Sequence, residues 1–169
     1  MKRLIKVLAI LCLVCGFIAA IVFYGTEIAV KNIMIENKTI ESNKINEDIN
    51  LKIAYISDIH YNHFMNKERL EKMIEKINNN KPDIILFGGD IFDKPSKYPI
   101  DEKSENEIIE LLQSLHAEYG KFAVLGEQDY DPQVNNIHHI LFKGDFEVLT
   151  NKQIFITKDG KNQRTSKND

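Results

Sequence analysis

Leu51-Lys52-Ile53-Ala54-Tyr55-Ile56-Ser57-Asp58-Ile59-His60 and, one helix later, Asp83-Ile84-Ile85-Leu86-Phe87-Gly88-Gly89-Asp90 are the two stretches that decide the fold. Each is an apolar run of strand length that closes on a carboxylate, and both strands are expected to be buried. Between them, residues 67–79 set Leu70, Met73, Ile74 and Ile77 at helical spacing, with Asn66 as the expected N-cap and Pro82 as the stop. Strand, helix, strand over this distance is a βαβ unit, whose strands run parallel and lie adjacent or nearly so.

The pattern then repeats. Ser104-Glu105-Asn106-Glu107 has capping-box spacing and precedes Ile108, Leu111, Leu112 and Leu115 on one helical face. Phe122-Ala123-Val124-Leu125 is a third apolar strand, ending in Gly126. A further helix is predicted over 132–142, with strands at 146–149 and 153–156. The fold class is therefore α/β, with helices packed on a mostly parallel sheet. Asp159-Gly160 directly after the last strand signals a hairpin, yet residues 161–169 contain no apolar side chain. The expectation is a polar tail over 158–169, an open strand edge and a sequence cut off mid-sheet.

The N-terminus has a different character. Residues 7–24 run without a charge, about 27 Å of helix at about 1.5 Å per residue, close to the hydrocarbon thickness of a bilayer. Lys2, Arg3 and Lys6 precede the run, which favours a cytoplasmic N-terminus, and Tyr24 stands where an interfacial aromatic is expected. An uncleaved single-pass signal anchor over 1–25 is the expectation, with the rest of the chain outside the cytoplasm. The alternative is secretion after cleavage, which a longer apolar run and poor small-residue spacing disfavour. Residues 26–50 form a polar connector in which Asn32-Ile33-Met34-Ile35-Glu36 alternates like an edge strand. Both cysteines, Cys12 and Cys15, fall in the apolar run and cannot staple the remainder. With 43% apolar and 28% charged residues the chain is ordinary globular material, and a net charge of -3 leaves no basic footprint for nucleic acid.

In open parallel sheets, chemistry collects beyond the carboxyl ends of the strands. Three successive strands here end in Ser-Asp-Ile-His, Gly-Gly-Asp and Gly-Glu-Gln-Asp. Asp58 and His60 alternate along a segment expected to be extended, so both can face one point. One carboxylate and one imidazole suit borderline divalent ions such as Mn, Fe or Zn better than Ca or Mg. Asp90, after two glycines that let the backbone come close, is placed to bridge two such ions. A pair about 3.5–4 Å apart clamps a phosphoryl group and activates a water. No phosphate-binding Gly-rich loop, nucleophile elbow or dinucleotide fingerprint points to another enzyme class.

Asp58-Ile59-His60 followed by Gly89-Asp90-Ile91-Phe92-Asp93 resembles the Asp-x-His and Gly-Asp-x-x-Asp motifs of calcineurin-like metallophosphoesterases. The surrounding sequence is similar to the membrane-anchored bacterial branch, over residues 30–157, which would be the N-terminal half to two-thirds of such a domain. The resemblance implies a partial metallophosphoesterase-like layered fold over 51–157 and hydrolysis of a phosphoester substrate by water activated at two divalent metal ions. Asp58 and His60 would hold the first ion, and Asp90 would bridge both. The third motif departs: Gly126-Glu127-Gln128-Asp129 stands where the family has Gly-Asn-His-(Asp/Glu). Glu127 would offer the second metal an oxygen with an added negative charge. Gln128 takes the place of the catalytic histidine; it donates a hydrogen bond but delivers no proton at neutral pH. The family's C-terminal histidines, including a Gly-His-x-His, have no counterpart.

The remaining candidates are expected to be structural. Asp93 reads as a solvated turn aspartate or as hydrogen-bond support, His63 as a surface histidine in a loop, and His116 as a favourable charge near a helix end. His138 and His139 are adjacent on a predicted helix, and adjacent helical residues do not face one point. Two functions follow: a dinuclear metallophosphoesterase, or a truncated, non-catalytic, membrane-tethered remnant.

Overall fold

This computed structural model describes residues 2–29, 32–42, 49–63, 65–131, 137–158 and 161–165. The chain divides into two compact units, Met1–Lys38 and Thr39–Asp169. In the first, the charge-free run forms helix α1 (Lys2–Phe23), which passes into a wider π-turn at Tyr24–Ala29. None of its residues is buried, and it is long and apolar enough to cross a membrane. The alternating stretch 32–36 carries no strand and belongs to neither of the two sheets among the described residues. Alternation by itself does not make a strand, which exists only where a facing backbone completes the ladder.

In the second unit, β1 (Ile53–Ile56), β2 (Ile84–Phe87), β3 (Lys121–Ala123) and β4 (Glu147–Val148) form one sheet in that order. All pairings are parallel, with Ile53 opposite Ile84, Ile85 opposite Lys121 and Phe122 opposite Glu147. Helices α2 (Lys67–Asn79), α3 (Glu102–Gln113) and α4 (Ile137–Lys143) connect successive strands. Period-two alternation sorts their contacts. Ile85 and Phe87 of β2, with Ile56 and Ala123, pack among Leu70, Ile74, Ile108, Leu112, Ile140 and Leu141 of the helices. Ile84 and Phe122 point the other way, into a smaller cluster with Ile156.

β2 is buried throughout or nearly so, but β1 is not: Ile53 is 48% and Tyr55 69% exposed. The expected burial of both strands fails for β1 because it is the edge of the sheet, and only its helix-facing side is covered.

α2 starts where expected, with the Asn66 side chain accepting from the Arg69 amide at 3.0 Å. α3 does not start at Ser104. Asp101 is its N-cap, accepting from the Ser104 amide at 2.8 Å, so the helix begins earlier and Ser104 lies in its first turn. Of the helix predicted over 132–142, the described part is α4; residues 132–136 lie outside the described residues.

β5 (Ile154–Lys158) pairs antiparallel with β6 (Lys161–Thr165), Lys158 opposite Lys161. The expected polar tail thus contains a strand, since ladder bonds run backbone to backbone and do not require apolar side chains. The Asp159-Gly160 turn and residues 166–169 lie outside the described residues.

Candidate metal centre

Pairing between β1 and β2 does not stop where the strands stop. The Gly88 amide donates to the Ile56 carbonyl at 2.8 Å, Asp58 to Gly89 at 3.0 Å, His60 to Asp90 at 3.2 Å and Tyr61 to Ile91 at 2.7 Å. These bonds hold the two strand-end loops side by side. Asp58, His60 and Asp90 all take left-handed backbone, with φ of 55°, 46° and 60°. The segment is therefore curled, not extended as the alternation implied. Non-glycine residues take this conformation sparingly, and it concentrates at functional sites.

The curl and the pairing bring one ligand atom from each of Asp58, His60 and Asp90 within 4.8 Å of one another. Asp58 is exposed, while His60 and Asp90 are half-buried. Nε2 of His60 lies 3.7 Å from Asp58 Oδ1, and the Ser57 hydroxyl donates to Asp58 Oδ2. On the other edge of the imidazole, Nδ1 lies 3.3 Å from Asp93 Oδ1. The approach of Nδ1 to Asp93 lacks hydrogen-bond geometry, so it is a contact of proximity only, and Nε2 is the ring nitrogen that faces Asp58.

Close approach of the third loop depends on glycine. Gly89 has φ of 101°, and a Cβ on it would strike the Gly126 backbone nitrogen; a Cβ on Gly126 would strike the Asp90 carboxylate. In this contact the Gln128 amide donates to Asp90 Oδ1 at 2.8 Å. Asp129 closes the joint from below. Its buried carboxylate accepts from the amides of Asp90 at 2.8 Å, Gly126 at 2.9 Å and Ile91 at 3.1 Å. Burial pushes the Asp129 carboxyl above the ordinary aspartate range; the three amides pull it down, and the Asp90 charge adds to the rise.

Glu127 is exposed and is not part of the three-residue cluster. Gln128 meets Asp90 through its backbone amide. Asp93 is buried and stands between two histidines, since His63 Nδ1 lies 2.7 Å from its Oδ2. His63 is no simple surface residue: its ring stacks on Tyr98 at 4.3 Å and 20°. Beside it the buried Tyr61 donates to Glu107 Oε2 at 2.9 Å, tying the loop after β1 to α3. Burial, with the Glu107 carboxylate, pushes the Tyr61 hydroxyl well up, so it remains a donor. His116 is exposed, and its amide is held by Asn78 Oδ1 at 3.0 Å. His138 and His139 are exposed on α4 and contribute nothing to the cluster.

Sequence reasoning assigned no role to Asp129, His63 or Tyr61. The position of Asp129 as the last residue of the third motif was a usable signal. The contacts of His63 and Tyr61 leave no spacing pattern, because they join a loop to residues 30 or more positions away.

The donor set, two carboxylates and an imidazole with converging ligand atoms, fits a borderline divalent cation. The family model for calcineurin-like phosphoesterases matches residues 51–165. YkuE of Bacillus subtilis (strain 168), an uncharacterized metallophosphoesterase, is 35% identical over 101 residues, 59% of this chain and 34% of that protein. An uncharacterized metallophosphoesterase of Aquifex aeolicus (strain VF5) is 29% identical over 140 residues, 83% of this chain and 51% of its own length. The UDP-2,3-diacylglucosamine pyrophosphatase LpxG of Chlamydia trachomatis serovar D is 38% identical over 89 residues, 53% of this chain and 26% of its own length. The chain thus spans about half or less of the length of these relatives. With the family model covering 115 of its 169 residues, the chain belongs to the calcineurin-like phosphoesterase family.

Proposed function

We propose that this chain takes part in metal-dependent hydrolysis of phosphate esters or pyrophosphates. Asp58, His60 and Asp90 would hold a divalent cation, with Mn, Fe or Zn favoured by the donor set. The observation that carries this is the convergence of those three ligand atoms at the carboxyl ends of adjacent parallel strands. A bound cation there would polarise a phosphoryl oxygen and lower the pKa of a coordinated water. The protein's own part is geometric and electrostatic. Asp58 and Asp90 balance the dipositive charge, His60 presents Nε2, and the Gln128 amide fixes the Asp90 carboxylate. A second ion would have to draw on Asp90 together with Glu127, and Glu127 lies outside the cluster, so among the described residues one ion is supported better than two.

Gln128, at the position of the family histidine, cannot itself protonate the departing group. Esters whose leaving group departs unprotonated, such as p-nitrophenolate, are therefore the expected preference. The chlamydial relative acts, by its name, on a pyrophosphate of an acylated nucleotide sugar. Together with a helix suited to a membrane, that supports an amphiphilic phosphate substrate at the bilayer surface, on the extracytoplasmic side.

The test is hydrolysis of p-nitrophenyl phosphate and its bis-ester by the full chain in detergent micelles, with and without manganese. Activity that needs the metal and falls more than about 100-fold in Asp90→Ala is the expected result. No turnover above background at saturating metal would sink the catalytic reading and leave a non-catalytic, membrane-tethered cation site.

A further inference from the structure

We propose that Lys97 is a specificity-determining residue that binds the second phosphate of a pyrophosphate substrate, the half that departs on hydrolysis. This deepens the hydrolytic reading of the Asp58, His60 and Asp90 site and rests on it. Gln128 cannot protonate a departing group, so the site suits groups that leave as stable anions. In a pyrophosphate the oxygen of water bonds to one phosphorus and the bond from that phosphorus to the bridging oxygen breaks. The bridging oxygen keeps the electron pair, and a water proton passes to solvent. The departing phosphate, with a second pKa of about 6, is stable as an anion at neutral pH without a proton from the protein. What it needs instead is a positive charge fixed where it departs.

The loop after Asp93 offers that charge. Pro95 is fully buried, the Ser96 amide donates to Asp131 Oδ2 at 3.3 Å, and the Lys97 and Tyr98 amides donate to the Lys94 carbonyl at 2.7 and 2.9 Å. The loop is therefore held in one shape. Its Tyr98 ring stacks on His63 at 4.3 Å, and His63 Nδ1 lies 2.7 Å from Asp93, whose other oxygen lies 3.3 Å from the His60 ring. His63 and Asp93 thus span the interval between the loop and the cluster. Lys97 Nζ stands 5.2 Å from the centre of the Tyr98 ring, and both Lys97 and Lys94 are exposed. Among the described residues neither ammonium is ion-paired with a carboxylate, whereas those of Lys72, Lys103 and Lys158 are. An aromatic ring beside an ammonium restrains it weakly and leaves its N–H groups to a ligand. Two uncompensated cations on a rigid loop beside the cluster are placed for an anion larger than one phosphoryl group.

The probes are methylenediphosphonate, a pyrophosphate analogue whose bridge does not hydrolyse, and methylphosphonate, its one-phosphorus counterpart. Binding of each to the full chain in micelles, at fixed free manganese, is measured by calorimetry for wild type, Lys97→Met and Lys97→Arg. Wild type is expected to prefer the diphosphonate. Lys97→Met should lower that preference about fivefold, and Lys97→Arg should restore it to within about twofold. The KM for geranyl pyrophosphate, read from released phosphate, should rise in step in Lys97→Met. A preference unmoved in Lys97→Met, or not restored by Lys97→Arg, overturns the proposal, as does a wild type that binds both probes equally. A wild type that prefers the diphosphonate through Lys97 yet hydrolyses nothing upholds the subsite and refutes the hydrolytic reading instead.

Discussion

Gly89 and Gly126 show how much of the site depends on two missing side chains. Gly89 combines φ of 101° with a backbone neighbour where its Cβ would stand, whereas a Cβ on Gly126, with no such φ, meets the Asp90 carboxylate first and the Asp90 backbone nitrogen next. The two alanine variants should therefore fail differently. Gly89→Ala adds left-handed strain to a clash with backbone, and should lower stability by about 2–4 kcal/mol. Gly126→Ala displaces the carboxylate of Asp90, a proposed ligand, instead, and should weaken manganese binding about 10-fold or more with a smaller loss of stability. Urea unfolding and manganese titration of both variants separate the effects; equal stability losses with equal affinities would refute the distinction. At this scale the sequence disclosed Asp58, His60 and Asp90, because each sits at a strand end and strand ends are legible from apolar runs. It did not disclose how they meet. The left-handed turns at 58, 60 and 90, and the clamp of three amides on Asp129, depend on contacts between loops distant in sequence.

Elements were legible where one signal acted alone. α2 has one N-cap candidate at its start and begins as expected, whereas α3 has two, and Asp101 wins over Ser104. Buried β2 could be read from its apolar run, but the exposed edge position of β1 is a property of the whole sheet. β6 escaped notice because its pairing is made by the backbone. What ties the β5–β6 hairpin to the main sheet is polar as well as apolar. Asp83, just before β2, accepts from the Lys52 amide at 2.7 Å and from Lys158 Nζ of β5 at 3.0 Å. Burial pushes its carboxyl up, but the Lys52 amide and the Lys158 ammonium outweigh that and hold it below the ordinary aspartate value of 3.8. A depressed acid stabilises the fold above its unfolded value and loses that contribution as pH falls through the lower folded value. Asp83→Asn should thus cost about 1–2 kcal/mol at neutral pH, and the gap should close below the ordinary aspartate value. Urea melts at pH 7 and at pH 3 or below test this, with Lys158→Met completing a double-mutant cycle. A penalty that stays constant across that range would show that the pair contributes no ionic stabilisation.

At the scale of the whole molecule, the two units pose opposite solvation problems. The second unit buries a core of apolar side chains between sheet and helices, whereas α1 exposes every one of its own: Leu13 is 74% and Phe17 68% exposed. In water that surface would be costly at about 25 cal/mol per Å², so an apolar phase is the consistent surrounding for it. Its flanks then set the direction. Lys2, Arg3 and Lys6 lie before the apolar run, and a cytoplasmic location of such charges is the strongest determinant of orientation for a first helix. The prediction is a chain inserted with residues 2–6 inside and residues 39–169 outside. In intact spheroplasts, added protease should digest the second unit, and the mass of the purified chain should include residues 1–25. Replacing Lys2, Arg3 and Lys6 with glutamine should protect a measurable fraction of the second unit from protease, because the charge bias that orients the helix is gone. Protection of the wild-type second unit would reverse the topology, and a mass lacking the apolar run would replace the anchor with a cleaved signal. The second outcome would also move the substrate, since a cation site released from the bilayer meets soluble phosphates before amphiphilic ones.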